Sequence, residues 1–149
     1  MLDRLQSDLK AAMLAKDAPR TQVLRMALAA YRNEAVAKGL SPQGLLDEAE
    51  AVVVFKRLVK SREDSIEQYE RAGARDRADA ERAEIAILKP FLPAMLEGTQ
   101  LEAAVKEAIA ASGATSRKEI GRVMKELQSR HAGGYDGKAA NQIIQSLLN

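Results

Sequence analysis

The stretch HAGGYDGKAANQ, His131 to Gln142, gathers three glycines, an aspartate and a lysine in a chain otherwise rich in Ala, Leu, Glu and Arg. A glycine-rich turn ending in Gly-Lys is the vocabulary of phosphate binding: backbone N–H groups cradle the anion and the lysine neutralises it. A Walker loop also needs a glycine five residues before the Gly-Lys pair, a Ser or Thr after the lysine, and a strand in front. Around Gly137-Lys138 those positions hold Ala132 and Ala139, and the preceding residues have a helical pattern. Nucleotide binding of that kind is excluded. What remains is a helix-to-helix turn, with Asp136 as the N-cap of the next helix and Lys138 at its start.

Other chemistry is quickly bounded. A serine or cysteine nucleophile needs a base, usually histidine. The chain has no cysteine and one histidine, His131, which reads as a polar cap at a helix end. There is no HExxH pattern and no Cys/His cluster, and the carboxylates mostly alternate with Lys or Arg as they do on solvated helix faces. No catalytic residue, metal or cofactor is expected.

The basic residues before the loop carry more information. On a helix starting at Ser116, Ile120, Val123, Met124 and Leu127 form an apolar face. Lys118, Arg122 and Lys125 then fall within about 60° of one another on the opposite side. Such a stripe commonly serves solubility. Here it adjoins a helix N-terminus, where free amides favour phosphate, and so also fits a nucleic-acid contact. A further charged residue, Arg62, sits inside an apolar stripe of Phe55, Leu58, Val59, Ile66 and Tyr69. Its stem is expected to pack while the guanidinium snorkels or meets a carboxylate; a phosphate contact is the second reading.

The elements that position these residues are helices. Apolar residues at Leu2, Leu5, Leu9, Ala12 and Met13 mark the first. Pro19 opens the second, which runs through Val23, Leu24, Ala27, Leu28 and Tyr31 toward a stop at Gly39. Ser41-Pro42 can start a further turn, weakened by Gly44. The third helix, from about Asp47 to Ala72, spans nearly ~40 Å. Gly73 turns the chain into a fourth helix carrying Ala78, Ile85 and Leu88. Pro90 and Pro93 break that pattern, which places a helical N-terminal subdomain at 1–93 and a three-helix subdomain at 94–149. In the latter, Thr99 with Glu102 and Ser116 with Glu119 fit capping boxes, and Gly113 ends the first helix.

Composition agrees with an all-α fold: 46% apolar residues suffice for a core, while aromatics are 3% and β-branched runs are scarce. The 23 basic and 21 acidic residues exclude a grossly basic coat. Through Glu97 there are 16 of each, so the whole excess lies in the C-terminal third, at 7 against 5. No apolar run approaches membrane-spanning length, and the charged N-terminus does not suit a signal peptide. A soluble cytoplasmic protein without membrane contact is expected.

The segment LVKSREDSIEQYERAGARDRADAERAEIAILKPFLP (Leu58 to Pro93), with VLRMALAAYRNEAVAKG before it, resembles the GatB/YqeY-domain family. The ending GATSRKEIGRVMKEL…GGYDGKAANQIIQSLL is similar to the same family's C-terminus, so the resemblance covers essentially the whole chain. That family shares its domain with the tail of the B subunit of aspartyl/glutamyl-tRNA amidotransferase, a carbon–nitrogen ligase with glutamine as amido donor. The resemblance implies a helical subdomain followed by a three-helix tail implicated in holding tRNA, without the catalytic domain or the glutaminase. By that likeness the chain is a noncatalytic, tRNA-associated module. Matched positions are Gly121, Arg122, Val123 and Met124 in the tail helix, then Gly133, Asp136, Gly137, Lys138 and Asn141. Two positions depart: Gly134 stands where the family often has arginine, and Ile120 where it commonly has methionine.

The leading expectation is therefore contact with tRNA backbone through Lys118, Arg122, Lys125 and Lys138, with Gly133, Gly137 and Asn141 beside them. Few aromatics mean little base stacking, so recognition would be of backbone and shape. The alternative is a protein-interaction adaptor. In that reading the long third helix and the small C-terminal subdomain dock on an amidotransferase or aminoacyl-tRNA-related complex without touching RNA. Neutral charge over the first 97 residues and the glycine at 134 favour it.

Overall fold

Short polar side chains at helix entries account for much of where the chain turns. In the computed structural model, which describes residues 1–41 and 43–149, Asp17 accepts a hydrogen bond from the Arg20 amide (3.1 Å) and opens α2, Ala18–Ala37. Pro19 lies in its first turn, where a missing N–H costs nothing. Asp47 and Glu50 close a reciprocal capping box at the head of α3, Glu48–Arg71 (2.8 and 3.1 Å). α1 covers Leu2–Leu14 and α4 covers Arg75–Leu88. Gly39 and Gly73 follow α2 and α3 with φ of +82° and +70°, a backbone that glycine adopts without a Cβ penalty. The turn expected at Ser41-Pro42 falls on Pro42, outside the described residues.

The chain divides into two units, Met1–Leu92 and Pro93–Asn149. In the first, α1 to α4 bury Leu5, Val23, Leu24, Ala27, Tyr31, Phe55 and Leu88. A 3-10 turn at Lys89–Phe91 follows α4 and includes Pro90. It brings Phe91 onto Phe55, with ring centroids 5.2 Å apart, and Arg4 lies over the same ring at 4.6 Å. The Tyr31 hydroxyl, deep in this core, accepts the Leu46 amide at 2.9 Å, so its burial leaves the oxygen partnered.

Arg62 resolves as its apolar surroundings predict. It is buried in the bundle, donates from Nε to Glu84 (2.7 Å) and from Nη1 to the Leu58 carbonyl (2.9 Å). The carboxylate reading holds, and the phosphate reading fails because the guanidinium is closed off from solvent.

The second unit comprises α5 (Gly98–Ser112), a 3-10 turn at Arg117–Glu119, α6 (Ile120–His131) and α7 (Gly137–Leu147). Leu101, Val105, Ala108, Val123, Leu127, Tyr135 and Ile144 form its core. The fold is all-α: the described residues contain seven α-helices. One pair of residues, Leu96 and Tyr135, forms an isolated parallel bridge.

Two capping expectations are corrected here. Thr99 is not an N-cap: Glu97 holds that position, so α5 begins at Gly98 (φ +54°), two residues sooner than a cap at Thr99 would set, and Thr99 already lies inside the first turn. The Ser116–Glu119 box does form, but on a 3-10 turn, so α6 proper begins at Ile120 rather than next to Ser116. Gly113 ends α5 in the left-handed region as expected (φ +70°).

Candidate nucleic-acid interface

The basic residues of the second unit divide by chemistry, arginines from lysines. Arg117 donates from Nε to the carbonyls of Gln145 (3.0 Å) and Leu148 (2.9 Å), the last turn of α7 and its C-cap. Arg122 donates to the Ser112 carbonyl at the end of α5 and to Glu119 Oε1 at 2.8 Å. The last carbonyls of a helix lack intrahelical donors and carry the negative end of its dipole, so a guanidinium there satisfies both. Arg130 pairs with Glu126 four residues back (2.9 Å). Each of the three arginines is engaged within the unit.

Three lysines have no such engagement. Lys118, Lys125 and Lys138 are exposed, and among the described residues their ammonium groups form no ion pair or hydrogen bond. Lys106, by contrast, pairs with Glu102 on α5 (3.1 Å). The stripe inferred for a helix from Ser116 is thus altered in two ways. Lys118 lies in the 3-10 turn before α6, and Arg122 is already committed to two acceptors. Glu119, which organises this corner, accepts the amides of Thr115 (2.7 Å) and Ser116 (3.3 Å). Those two hydrogen bonds, helped by Arg122, hold its carboxyl below the usual range.

The glycine loop is only partly open. Ala132 and Gly133 take left-handed φ values of +41° and +79° and close α6. Gly133, Gly134 and Tyr135 are buried. The Gly134 amide donates to the His131 carbonyl (2.8 Å), and its own carbonyl accepts the Leu96 amide (2.8 Å). A Cβ at Gly134 would stand 3.1 Å from the His131 carbonyl oxygen and 3.3 Å from that of Ala94. This close approach of two backbones leaves little room there, and a side chain would need the neighbouring backbone to give by a few tenths of an ångström. Gly133 therefore offers no open backbone to a ligand. Gly137 does: it is exposed, with nothing within 4 Å of a Cβ built there.

His131 caps nothing with its ring. It is the last residue of α6, and its Nε2 is buried without a hydrogen-bond partner among the described residues; the closing hydrogen bonds come from the backbone. Asp136 does cap α7, accepting the Lys138 amide at 3.2 Å. One turn on, the half-buried Asn141 accepts a bond from Gln145 Nε2 (2.7 Å), leaving its amide nitrogen for other partners. Tyr135, whose hydroxyl donates to Gln128 (2.9 Å), is buried, and burial raises its phenol above the ordinary value. It presents no ring for stacking on a base. Among the described residues no group of three or more His, Asp and Glu side chains gathers to hold a metal ion.

What sequence reasoning missed was the capping work of Arg117 and Arg122. Arg122 lies nine residues after the helix-ending Gly113 and ten after Ser112, near enough for a long basic side chain to reach back to that helix end. Arg117 is 28 residues from Gln145, and nothing local announces that contact.

No helix among the described residues is long and apolar enough to cross a membrane. The chain is similar to proteins named altered inheritance of mitochondria protein 41, mitochondrial, from two yeasts. It is 36% identical to that of Lachancea thermotolerans over 89 residues, 59% of this chain and 46% of the relative. It is 30% identical to that of Saccharomyces cerevisiae (strain YJM789) over 99 residues, 66% of this chain and 51% of the relative. The chain thus spans about half the length of the curated relatives it matches. The family model described as Yqey-like protein matches residues 2–148, all but the two terminal residues, and the chain belongs to that family.

Proposed function

We propose that the C-terminal unit is a noncatalytic binding module for tRNA, related in role to the amidotransferase tail that the sequence resembles. The observation that carries this reading is the division of labour among its cations. Arg117, Arg122 and Arg130 serve the fold, while Lys118, Lys125 and Lys138 stand exposed and unpaired. Unpaired ammonium groups are point charges suited to phosphate, and buried aromatics leave base stacking a minor part. Gly137 and Asn141 supply open backbone and an amide beside Lys138. Arg122 acts at the rim, through the three of its five N–H bonds not engaged by the fold. Amidation chemistry belongs to a partner enzyme in this reading, and the cytoplasm is the proposed location, whereas the names of the yeast relatives place those proteins in mitochondria.

The test is a filter-binding titration of the purified chain against bulk tRNA at two salt concentrations. Three phosphate contacts predict a log–log slope of about −2 to −3. Absence of saturable binding at low salt sinks the proposal, as would glutamine-dependent amidation by the chain alone sink its noncatalytic part.

A second reading, a protein-docking adaptor, has its own observation. The outward face of α3 forms a shallow groove of about 680 Å³ lined by Val53, Lys56, Arg57, Lys60, Asp64 and Gln68. Its charges are largely neutralised in place, Arg57 by Glu34 (3.3 Å) and Lys60 by Asp64 (3.0 Å). Such a surface suits a protein better than a polyanion. A pull-down that recovers a defined protein after nuclease treatment, and loses it on Val53→Asp, supports that reading.

A further inference from the structure

Arg62 is the one buried charged side chain among the described residues, at 6% exposed. Its Nε and Nη1 have strong oxygen acceptors in Glu84 and the Leu58 carbonyl. Its other amino group, Nη2, has a poorer one, the Met26 sulfur at 3.5 Å. A thioether accepts hydrogen bonds weakly, so one end of a buried cation is under-satisfied. Met26 lies on α2 and is itself 42% exposed, so a small soluble oxidant has access to a side chain whose sulfur already faces a guanidinium.

We propose that Met26 is an oxidation site whose sulfoxide is received by Arg62, so that peroxide preserves or tightens the joint of α2, α3 and α4. In the reaction, a sulfur lone pair attacks one oxygen of a hydroperoxide. The S–O bond forms as the O–O bond breaks, and the proton on the transferred oxygen passes to the departing hydroxide, giving water. Sulfur is oxidised by two electrons and the peroxide is reduced by two. Sulfoxide formation ordinarily disrupts packing because it places a polar oxygen among apolar groups. Here the oxygen projects from a sulfur that already faces an N–H donor, and it is a far better acceptor for a charged one.

Met13 provides an internal contrast. Its sulfur stands 3.9 Å from Arg25 Nη2, and Met13 is 49% exposed. Arg25 is exposed, however, so water already satisfies its guanidinium and oxidation of Met13 gains no comparable bond. The proposal shares no residue with the RNA-binding reading, and each stands or fails alone.

The experiment treats the full-length chain with hydrogen peroxide, maps sulfoxide by peptide mass spectrometry, and measures Tm. A Met13→Leu/Met95→Leu background removes the other two methionines more than a third exposed. In that background, oxidation to completion at Met26 is expected to leave Tm unchanged or raise it by about 2 °C. Adding Met26→Leu should abolish any rise. The unoxidised Met26→Gln variant, whose amide oxygen stands in for the sulfoxide, should melt at or above Met26→Leu. A fall in Tm of several degrees that Met26→Leu abolishes overturns the proposal. So does a Met26→Gln protein less stable than Met26→Leu, or Met26 staying reduced in wild-type protein while Met13 is fully oxidised.

Discussion

Both units contain arginines engaged by the fold, but they engage them differently. In the N-terminal unit Arg62 is buried and holds three helices by donating to Glu84, to a carbonyl of its own helix and to Met26. In the C-terminal unit Arg117 and Arg122 remain at the surface and close the ends of α7 and α5. The difference follows from core size. The four-helix unit, with two stacked phenylalanines in its core, buries a guanidinium among α2, α3 and α4. Three helices of 11 to 15 residues cannot, and there the arginine contributes at helix termini instead. One consequence is functional: in the small unit the arginines are occupied, while Lys118, Lys125 and Lys138 pair with nothing among the described residues.

Breaking this contrast should produce its largest effect at Arg62. Arg62→Ala removes a buried partner and leaves an unfilled volume, and is expected to cost about 3 kcal/mol in urea unfolding of the full chain. A loss under about 1 kcal/mol would show that the buried cation is dispensable.

Next comes the triple reversal Lys118→Glu/Lys125→Glu/Lys138→Glu. It should weaken tRNA binding by more than tenfold and flatten the salt slope, with Tm nearly unchanged because none of the three ammonium groups serves the fold. The mirror experiment is Arg122→Ala, which should lower stability by roughly 1 kcal/mol while reducing RNA affinity only a few-fold. If Arg122→Ala abolishes binding and leaves stability intact, the division between structural arginines and binding lysines is wrong.

The smallest effect is a pH dependence at the α6 entry. Glu119 has a depressed folded pKa, so the stability it contributes is present above its unfolded value, about 4.5, and is lost as pH falls through the lower folded value. Wild type should therefore lose a little stability relative to Glu119→Gln as pH is taken from 5 down toward 3, read as converging unfolding midpoints.

Much of the architecture was legible from local pattern. The helical starts at Pro19 and near Asp47, the stops at Gly39, Gly73 and Gly113, and the Asp136 cap all depend on residues within a turn of one another. Arg62's carboxylate partner was one of two outcomes legible in the pattern, since a cation within an apolar stripe either snorkels to water or meets a carboxylate. The cap of α5 was misplaced at Thr99: a left-handed Gly98 follows the true cap, Glu97, and the helix starts two residues sooner. The cationic stripe was drawn on ideal α-helical geometry, whereas Lys118 lies in the 3-10 turn that leads into α6.

The sequence by itself determined the helical vocabulary, the family, and the placement of surplus positive charge in the C-terminal third. These are properties of composition and short spacing, and they need no knowledge of what packs on what. Only the tertiary structure decided which cations are free. Arg117 meets Gln145 and Leu148, and Gly134 meets Ala94, across separations of 28 to 40 residues. At such distances, hydrogen bonding and the room left by a neighbouring backbone are settled by folding, not by periodicity. The turn HAGGYDGK is accordingly closed at Gly133 and Gly134 by its own contacts, and open only at Gly137 and Lys138.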